Sequence, residues 1–434
     1  MTHFGIICPS SSGHMNPMCT IGCELKKRGH RVTIIGMADA EKKTLAVGLE
    51  FKPVALKEFP EEKIAEYYVE SGKMSKLAAF RHTIKFFQNT ASIMLRELPL
   101  VIKETGVEIL LVDQTYPWII TTAEYLDIYF ITICCSLMMN RDVLVPPFYT
   151  SWQYNPSWLC CLRNEIGYKI LDYLTQPIKD MIDEYRQKWK LAKFPLSYNF
   201  HPQELAQLTQ QPAEFDFPRR SLPVCFHFTG PYHSEETRKP VTFPWEKLNG
   251  RTLIYASMGT LQNRLIGVFK TIAAACENLD AQLVISLGGS AKPESLPKLA
   301  GNPILVEYAP QLELIKKATL VITHAGMNTA LESLSNGVPM IAIPVTNDQP
   351  AVAARIVWSG TGEAIPVDKL TVEKLQKCLN KVLTDDSYKR NALRLQDAIA
   401  SAGGVSKAAD IIEEAVFTKK PVLAWDRPRL TPQV

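Results

Sequence analysis

With 434 residues, the chain is long enough for two domains, each with its own core. Its 46% hydrophobic and 21% charged content is that of an ordinary globular protein. The net charge of +4, from 48 basic against 44 acidic residues, comes without a clustered Lys/Arg tract and argues against a nucleic-acid partner.

Phe4 to Cys8 reads as a buried strand and not as a secretory signal, which needs a basic leader and a long apolar core. It runs into a small-residue loop, Pro9-Ser10-Ser11-Ser12-Gly13-His14. A helix follows with Met18, Ile21 and Leu25 on one face; Gly29-His30 stops it, and Arg31 to Ile35 forms a second strand. Strand, helix, strand predicts a parallel pair with a right-handed crossover. Further strands are expected at Glu108 to Val112, with Asp113 at its carboxyl end, and at Tyr129 to Cys134. Ile109 to Met139 is the most apolar region, but Asp113, Glu124 and Asp127 break it short of the roughly 20 apolar residues of a membrane span. From Pro146 to Trp189 the chain is aromatic, interrupted by prolines at first and helical afterwards. Pro231 to Pro244, with Glu235, Glu236, Arg238, Lys239 and Pro240, reads as an exposed linker.

The second half repeats the pattern. Strands are expected at Leu253 to Ala256, Leu283 to Ser286, Ile304 to Val306, Leu320 to Thr323 and Met340 to Ile343. Helices alternate with them: one after the loop Ser257-Met258-Gly259-Thr260, ending near Leu279, then Thr329 to Asn336, Gln349 to Ser359 and Thr371 to Leu383. Two more helical stretches lie beyond Asp386, and a tail after Phe417, with Trp425 and three prolines, is expected to wrap over a surface. The expected architecture is α/β, two doubly wound domains facing each other across a cleft. Ten cysteines without a Cys-x-x-Cys suggest neither a zinc framework nor a disulfide scaffold, but reduced thiols in the cytoplasm.

The densest signal is ITHAGMNTALESLSNGVPMIAIPVTNDQP, Ile322 to Pro350. A short apolar strand meets His324, then Gly326, Asn328 and Thr329 at a helix start, and a second strand leads to Asp348-Gln349. Ligands of open α/β sheets bind at the carboxyl ends of strands. A helix start offers unpaired N–H groups and a positive dipole end to a diphosphate. The pattern suits a nucleotide diphosphate carrying a sugar.

Together with Gly13-His14-Met15-Asn16-Pro17, Arg28-Gly29-His30-Arg31-Val32 and Tyr308-Ala309-Pro310-Gln311, this signature resembles the family 1 glycosyltransferases, the UDP-glycosyltransferase superfamily. The resemblance spans nearly the whole chain. Within the family, Thr346 to Ile356 is similar to bacterial zeaxanthin glucosyltransferases. The resemblance implies the GT-B fold, with an acceptor-binding domain over 1–236 and a nucleotide-sugar domain over 237–434, the last helix and tail returning to the first domain. It implies inverting transfer of a hexose, glucose above all, from a UDP-sugar to a hydroxyl, giving a β-O-glycoside. The UDP-sugar is a co-substrate, and no cofactor or metal is implied: the Asp-x-Asp pair of metal-dependent glycosyltransferases is missing.

By the same resemblance, His14 is the base and Asp113 the carboxylate that orients it. On the residues alone, His14 could instead be a loop histidine bonded to backbone, and Asp113 a cap for the following helix. His324, Gly326 and the backbone of Met327, Asn328 and Thr329 match the diphosphate site, joined by Ser257, Gly259 and Thr260 on the opposing loop. Glu332 matches the carboxylate that accepts both ribose hydroxyls, which favours uridine over a deoxyribose donor; the alternative is a solvent-facing helix residue. Tyr308 stands where plant members stack Trp on uracil, with Ala309 and Gln311 beside the base. Asp348 and Gln349 match the pair that binds the sugar hydroxyls, and Met327 replaces a plant Trp.

Met138, Phe148 and Trp152 are the acceptor candidates, suited to a carotenoid, flavonoid, sterol or polyketide; ordinary core packing is the other reading of that aromatic stretch. The segment from Leu159 to Lys190, with Arg163, Lys169, Lys179, Arg186, Lys188 and Lys190, could lie on an anionic membrane or form a plain solvated face. The composition carries no expectation about oligomeric state. Two other classes stay open: another GT-B enzyme, such as a nucleotide-sugar epimerase or a hexosaminyltransferase, and a non-catalytic sugar-nucleotide binder.

Overall fold

A computed structural model describes residues 1–193, 201–238, 240–261, 264–289 and 291–424. The first lobe holds β1 (His3–Ile7), α1 (Ser12–Lys27), β2 (Arg31–Gly36), α2 (Glu41–Ala46), β3 (Glu50–Pro53), α3 (Glu61–Ser71), α4 (Lys76–Thr105), β4 (Ile109–Asp113), α5 (Trp118–Leu126), β5 (Phe130–Cys134), α6 (Trp158–Lys188), β6 (Glu204–Thr209) and β7 (Phe226–Phe228). The second holds β8 (Thr252–Ser257), α7 (Ile266–Cys276), β9 (Ala281–Ser286), β10 (Ile304–Val306), α8 (Gln311–Lys317), β11 (Leu320–Thr323), α9 (Met327–Ser335), β12 (Met340–Ala342), α10 (Gln349–Trp358) and β13 (Gly362–Ala364). The helices α11 (Val372–Thr384), α12 (Asp386–Ala402) and α13 (Gly404–Thr418) close the chain.

Every strand pairing is parallel, in the orders β3-β2-β1-β4-β5-β6-β7 and β10-β9-β8-β11-β12-β13. Helices cover both faces of such sheets, so the strands are apolar on both sides; all five residues of β1, β4 and β5 are buried. The strand order reverses between β1 and β4 and again between β8 and β11. A crevice opens at the carboxyl ends of the strands at each such switch point. The architecture is thus two Rossmann-like lobes, as expected.

The departures are local. His14 does not lie in a loop: the Ser11 carbonyl accepts from His14 N at 3.0 Å and Met15 N at 2.9 Å, so α1 is already wound at Ser12. The strands β3, β6, β7 and β13 and the helices α2 to α4 and α8 add to the expected set. β6 reads Glu-Leu-Ala-Gln-Leu-Thr and is buried throughout, because its polar side chains bond within the lobe. The 231–244 segment is not a free linker. Glu236 pairs with Lys27 at 2.7 Å and Thr237 meets Thr20 at 3.0 Å on α1, while Glu235 pairs with Lys316 at 2.6 Å and Arg238 with Glu332 in the second lobe. Glu235, Glu236 and Arg238 thus find opposite charges on both sides.

Helix α13 crosses back to the first lobe, where Ala408, Ile411, Ile412 and Ala415 join Phe4, Met18 and Leu25 in one core. Arg28 holds Asp410 and Glu413, each at 2.7 Å, and His30 holds Glu413 at 3.0 Å. The tail then follows β6, with Val422 N donating to Leu205 O at 2.9 Å. Trp425, Pro428 and Pro432 lie outside the described residues. Among the described residues, no helix is long and apolar enough to cross a membrane.

Candidate active site

His14 and Asp113 sit beyond β1 and at the end of β4, the neighbouring strands of the first switch point. Nδ1 of His14 lies 2.8 Å from Oδ2 of Asp113, which is completely buried. The other carboxylate oxygen accepts from the Thr115 backbone N–H at 2.9 Å and its hydroxyl at 2.7 Å. Asp113 therefore both orients the histidine and closes the turn before α5. Burial pushes this carboxyl up, but the His14 charge and hydrogen bond, with Thr115, bring it net below its ordinary value. Burial alone would lower the His14 pKa; the Asp113 charge and hydrogen bond reverse this, Asp348 adds to them, and the result is raised. An ionised carboxylate can only accept, so Nδ1 carries the hydrogen and Nε2 is left as the basic atom. Cys135 Sγ completes a cluster within 4.8 Å, but burial, then the Asp113 charge, pushes its thiol far up, leaving it protonated.

Ser257 and His324 end the neighbouring strands of the second switch point, β8 and β11. The His324 ring is pressed between two glycines. A Cβ at Gly259, where φ is +74°, would lie 2.6 Å from the ring, and one at Gly326 would lie 2.5 Å from Nε2. Burial lowers the His324 pKa to about 4, with only the Ser257 backbone to offset it, so the ring is neutral at physiological pH. Gly326 caps α9 without a side-chain bond, leaving the first-turn N–H groups of Met327, Asn328 and Thr329 at the cleft. Ser257 Oγ accepts from Gly259 N at 3.3 Å, and Thr260 is exposed beside it. Tyr308, half exposed, lies over Gly289, where any side chain would strike its hydroxyl.

The remaining expected donor residues are together but already engaged. Glu332 is buried; one oxygen holds Arg238 and the other accepts from Gln311 Nε2 at 2.6 Å. Tyr255 in turn donates to Gln311 Oε1 at 3.0 Å. Gln349 turns its carboxamide oxygen back to the N–H groups of Val345 and Thr346, at 2.9 and 3.1 Å. Asp348 Oδ2 accepts from Leu137 N of the first lobe at 3.0 Å, and burial raises its pKa. Asn328 reaches across the cleft: its Nδ2 donates to Gly13 O at 2.9 Å, and its Oδ1 accepts from Gln210 at 2.7 Å. Pro17 explains why that carbonyl is available. It has no N–H to give the residue four before it in α1, so Gly13 O stays open to the other lobe. Arg238 escaped the sequence reading because its run of charges looked solvated; only the Glu332 carboxylate at its end marks it.

A cavity of roughly 1560 Å³ joins His14, Asp113, His324, the start of α9, Glu332, Asp348 and Gln349. Its apolar part runs into the first lobe between Phe80, Ile84 and Phe87 of α4, Tyr116 and Trp118, and Leu171, Ile178 and Ile182 of α6. Of the acceptor candidates, Phe148 lines it. Met138 is buried behind β5 with Cys134 and Phe226, and Trp152 packs against α6 under Arg163, so neither lines the cavity. The spacing Phe80, Ile84, Phe87, one helical face, was the available signal for the residues that do.

The family model "UDP-glucoronosyl and UDP-glucosyl transferase" matches residues 6–399. The zeaxanthin glucosyltransferase of Pantoea ananas is 32% identical over 432 residues, covering 98% of each chain. That of Pseudescherichia vulneris is 29% identical over 428 residues, covering 97% of this chain and 100% of its own. Among solved structures, the glycotransferase of kitacinnamycin superposes with a TM-score of 0.73 at 22% identity, covering 95% of this chain and 98% of its own. The glycosyltransferase VinC, in complex with dTDP, superposes at 0.67 and 17% identity, covering 96% and 100%. These last two likenesses speak for the fold, GT-B. The chain belongs to the UDP-glucoronosyl and UDP-glucosyl transferase family and is a family 1 glycosyltransferase.

Proposed function

We propose that this enzyme transfers glucose from UDP-glucose to a hydroxyl of a lipophilic small molecule, with inversion, giving a β-O-glycoside. One observation carries the reading: a carboxylate-backed histidine of one lobe and a neutral histidine beside an uncapped helix start of the other line the same cavity. Residues 1–236 hold the acceptor and 237–434 the donor. His14 Nε2 takes the acceptor proton as the oxygen attacks the anomeric carbon. The bond from that carbon to the diphosphate oxygen breaks, and UDP leaves with the electron pair. Asp113 stabilises the imidazolium that forms. His324 and the N–H groups of Met327 to Thr329, with Ser257 and Thr260, receive the growing charge on the diphosphate; donors already fixed there act most strongly on the transition state. These groups perform the step without calling on a metal or cofactor.

Glu332 and Tyr308, flanked by Ala309 and Gln311, are assigned to the ribose and the base, and Asp348 and Gln349 to the sugar. For Glu332 to accept the ribose hydroxyls, Arg238 has to move aside or share the carboxylate. The apolar depth of the cavity and the zeaxanthin glucosyltransferase relatives support a carotenoid-like acceptor. A cytoplasmic location belongs to the same proposal, supported by the thiols of Cys8, Cys19, Cys134, Cys135 and Cys276 buried in the cores.

The test is incubation with UDP-glucose, UDP-galactose and dTDP-glucose against a panel of lipophilic alcohols and phenols. Mass spectrometry reads the gain of a hexose and proton NMR the anomeric configuration. A β-glucoside formed fastest from UDP-glucose is expected; an α-linked product, or no transfer to any lipophilic hydroxyl, overturns the reading.

A further inference from the structure

The helix α6 has two apolar faces. Its inner face, with Leu171, Ile178 and Ile182, lines the cavity. Its outer face presents Leu159, Leu162, Ile166, Ile170 and Tyr173 to solvent, spaced by three or four residues, with Trp158 at the end. Trp158 is 72% exposed and Tyr173 80%. A continuous apolar stripe of this kind marks an interaction surface, unlike single exposed apolar side chains.

The neighbouring helix supplies charge. Phe80 of α4 stacks on Tyr149, whose hydroxyl donates to Gly167 O of α6 at 2.8 Å, so the early turns of both helices lie at one end of the lobe. Between Lys73 and Arg96 the sequence has no Asp or Glu. Lys73, Arg81 and Lys85 are exposed there, as is Lys169 on α6, and none forms an ion pair among the described residues. By contrast, the basic residues further along α6 are taken: Lys179 pairs with Asp172, and Arg186 is buried against Glu124 at 2.8 Å.

We propose that the outer face of α6 and the early turns of α4 form a docking surface for an anionic lipid bilayer, seated at the mouth of the acceptor cavity. The stripe enters the interface between headgroups and acyl chains, with Trp158 and Tyr173 at headgroup level, and Lys73, Arg81, Lys85 and Lys169 meet the lipid phosphates. Charge selects this occupant over a second copy of the chain: a two-fold contact would set one basic cluster against another. The same two helices line the cavity on their inner sides, so a lipophilic acceptor passes from bilayer to site without crossing water.

Co-sedimentation with vesicles tests this without relying on the assigned reaction. The protein should sediment with mixed phosphatidylglycerol–phosphatidylcholine vesicles, and much less with phosphatidylcholine alone or at high salt. Arg81→Gln and Lys85→Gln should each weaken binding about fivefold. Leu162→Glu with Ile166→Glu should abolish it, while the melting temperature and transfer to a water-soluble phenol stay unchanged. Equal sedimentation of wild type and these variants overturns the proposal. So does a dimer in size exclusion that Leu162→Glu with Ile166→Glu dissolves, which would make the stripe a subunit interface.

Discussion

Both lobes place a histidine at the strand-order reversal of the sheet, on opposite sides of it, and tune the two in opposite directions. His14 follows β1 beside β4, and His324 follows β11 beside β8, each at the strand-order reversal of its sheet. Both are drawn out of water, which by itself lowers an imidazole pKa. A buried carboxylate stands 2.8 Å from the first and reverses the shift; among the described residues no carboxylate offsets the burial of the second, which drops to about 4. On the proposed reading the first, made more basic, takes the acceptor proton, while the second stays neutral and donates a hydrogen bond to the diphosphate. The switch point supplies the location, and the neighbouring side chain supplies the role.

The sharpest way to break this contrast is His14→Ala. Its loss should reduce kcat about 10²–10⁴-fold while leaving the KM for the sugar nucleotide nearly unchanged. Initial rates with UDP-glucose and a phenol check this, and full activity would remove the base from His14. His324→Ala should lower kcat/KM for the donor about 10²–10³-fold. Gly326→Ala should act in the same direction, since its methyl group would lie 2.5 Å from Nε2.

Exchanging Asp113 for Asn tests the tuning itself. The active base is the neutral imidazole, and its raised pKa puts the acid limb of kcat/KM above the ordinary histidine value of 6.5. Activity rises with pH through that limb. Without the Asp113 charge, desolvation is opposed mainly by the weaker pull of Asp348, so the limb should move to lower pH as turnover falls. His324, near 4, should contribute no limb in either protein. The smallest effect is expected from Glu332→Gln, which should cut the preference for UDP-glucose over dTDP-glucose about tenfold, roughly 1.5 kcal/mol. An unchanged ratio would take Glu332 away from the ribose.

Much of this was legible beforehand where the signal is local. Leu320–Thr323 and Ile304–Val306 were readable to the residue, because short apolar runs bounded by polar turns have one reading in a parallel sheet. The Gly13 to Pro17 motif marked the first-lobe site, though not that His14 is wound into α1, since Ser11 takes up the helix start only through its backbone. β6 went unread because its Glu and Gln side chains look solvated until Thr132 and each other satisfy them. Acceptor candidates were sought at Met138 and in the proline-broken aromatics after Pro146, whereas the long helix α4 supplies much of the cavity's apolar wall. Met138 and Trp152 are large and apolar, but the fold spends them on packing elsewhere.

The amino-acid order alone determined the class of fold, the alternation of strands and helices, and that His324 directly follows a strand, because period, caps and turn residues act within a few positions. Tertiary structure decided what those groups can do. His14 meets Asp113 across 99 residues, Arg238 meets Glu332 across 94, and Asn328 meets Gly13 across 315. Proton affinity, occupancy of a carboxylate and closure of a cleft depend on neighbours in space, and those neighbours exist only once the two sheets have formed and faced each other.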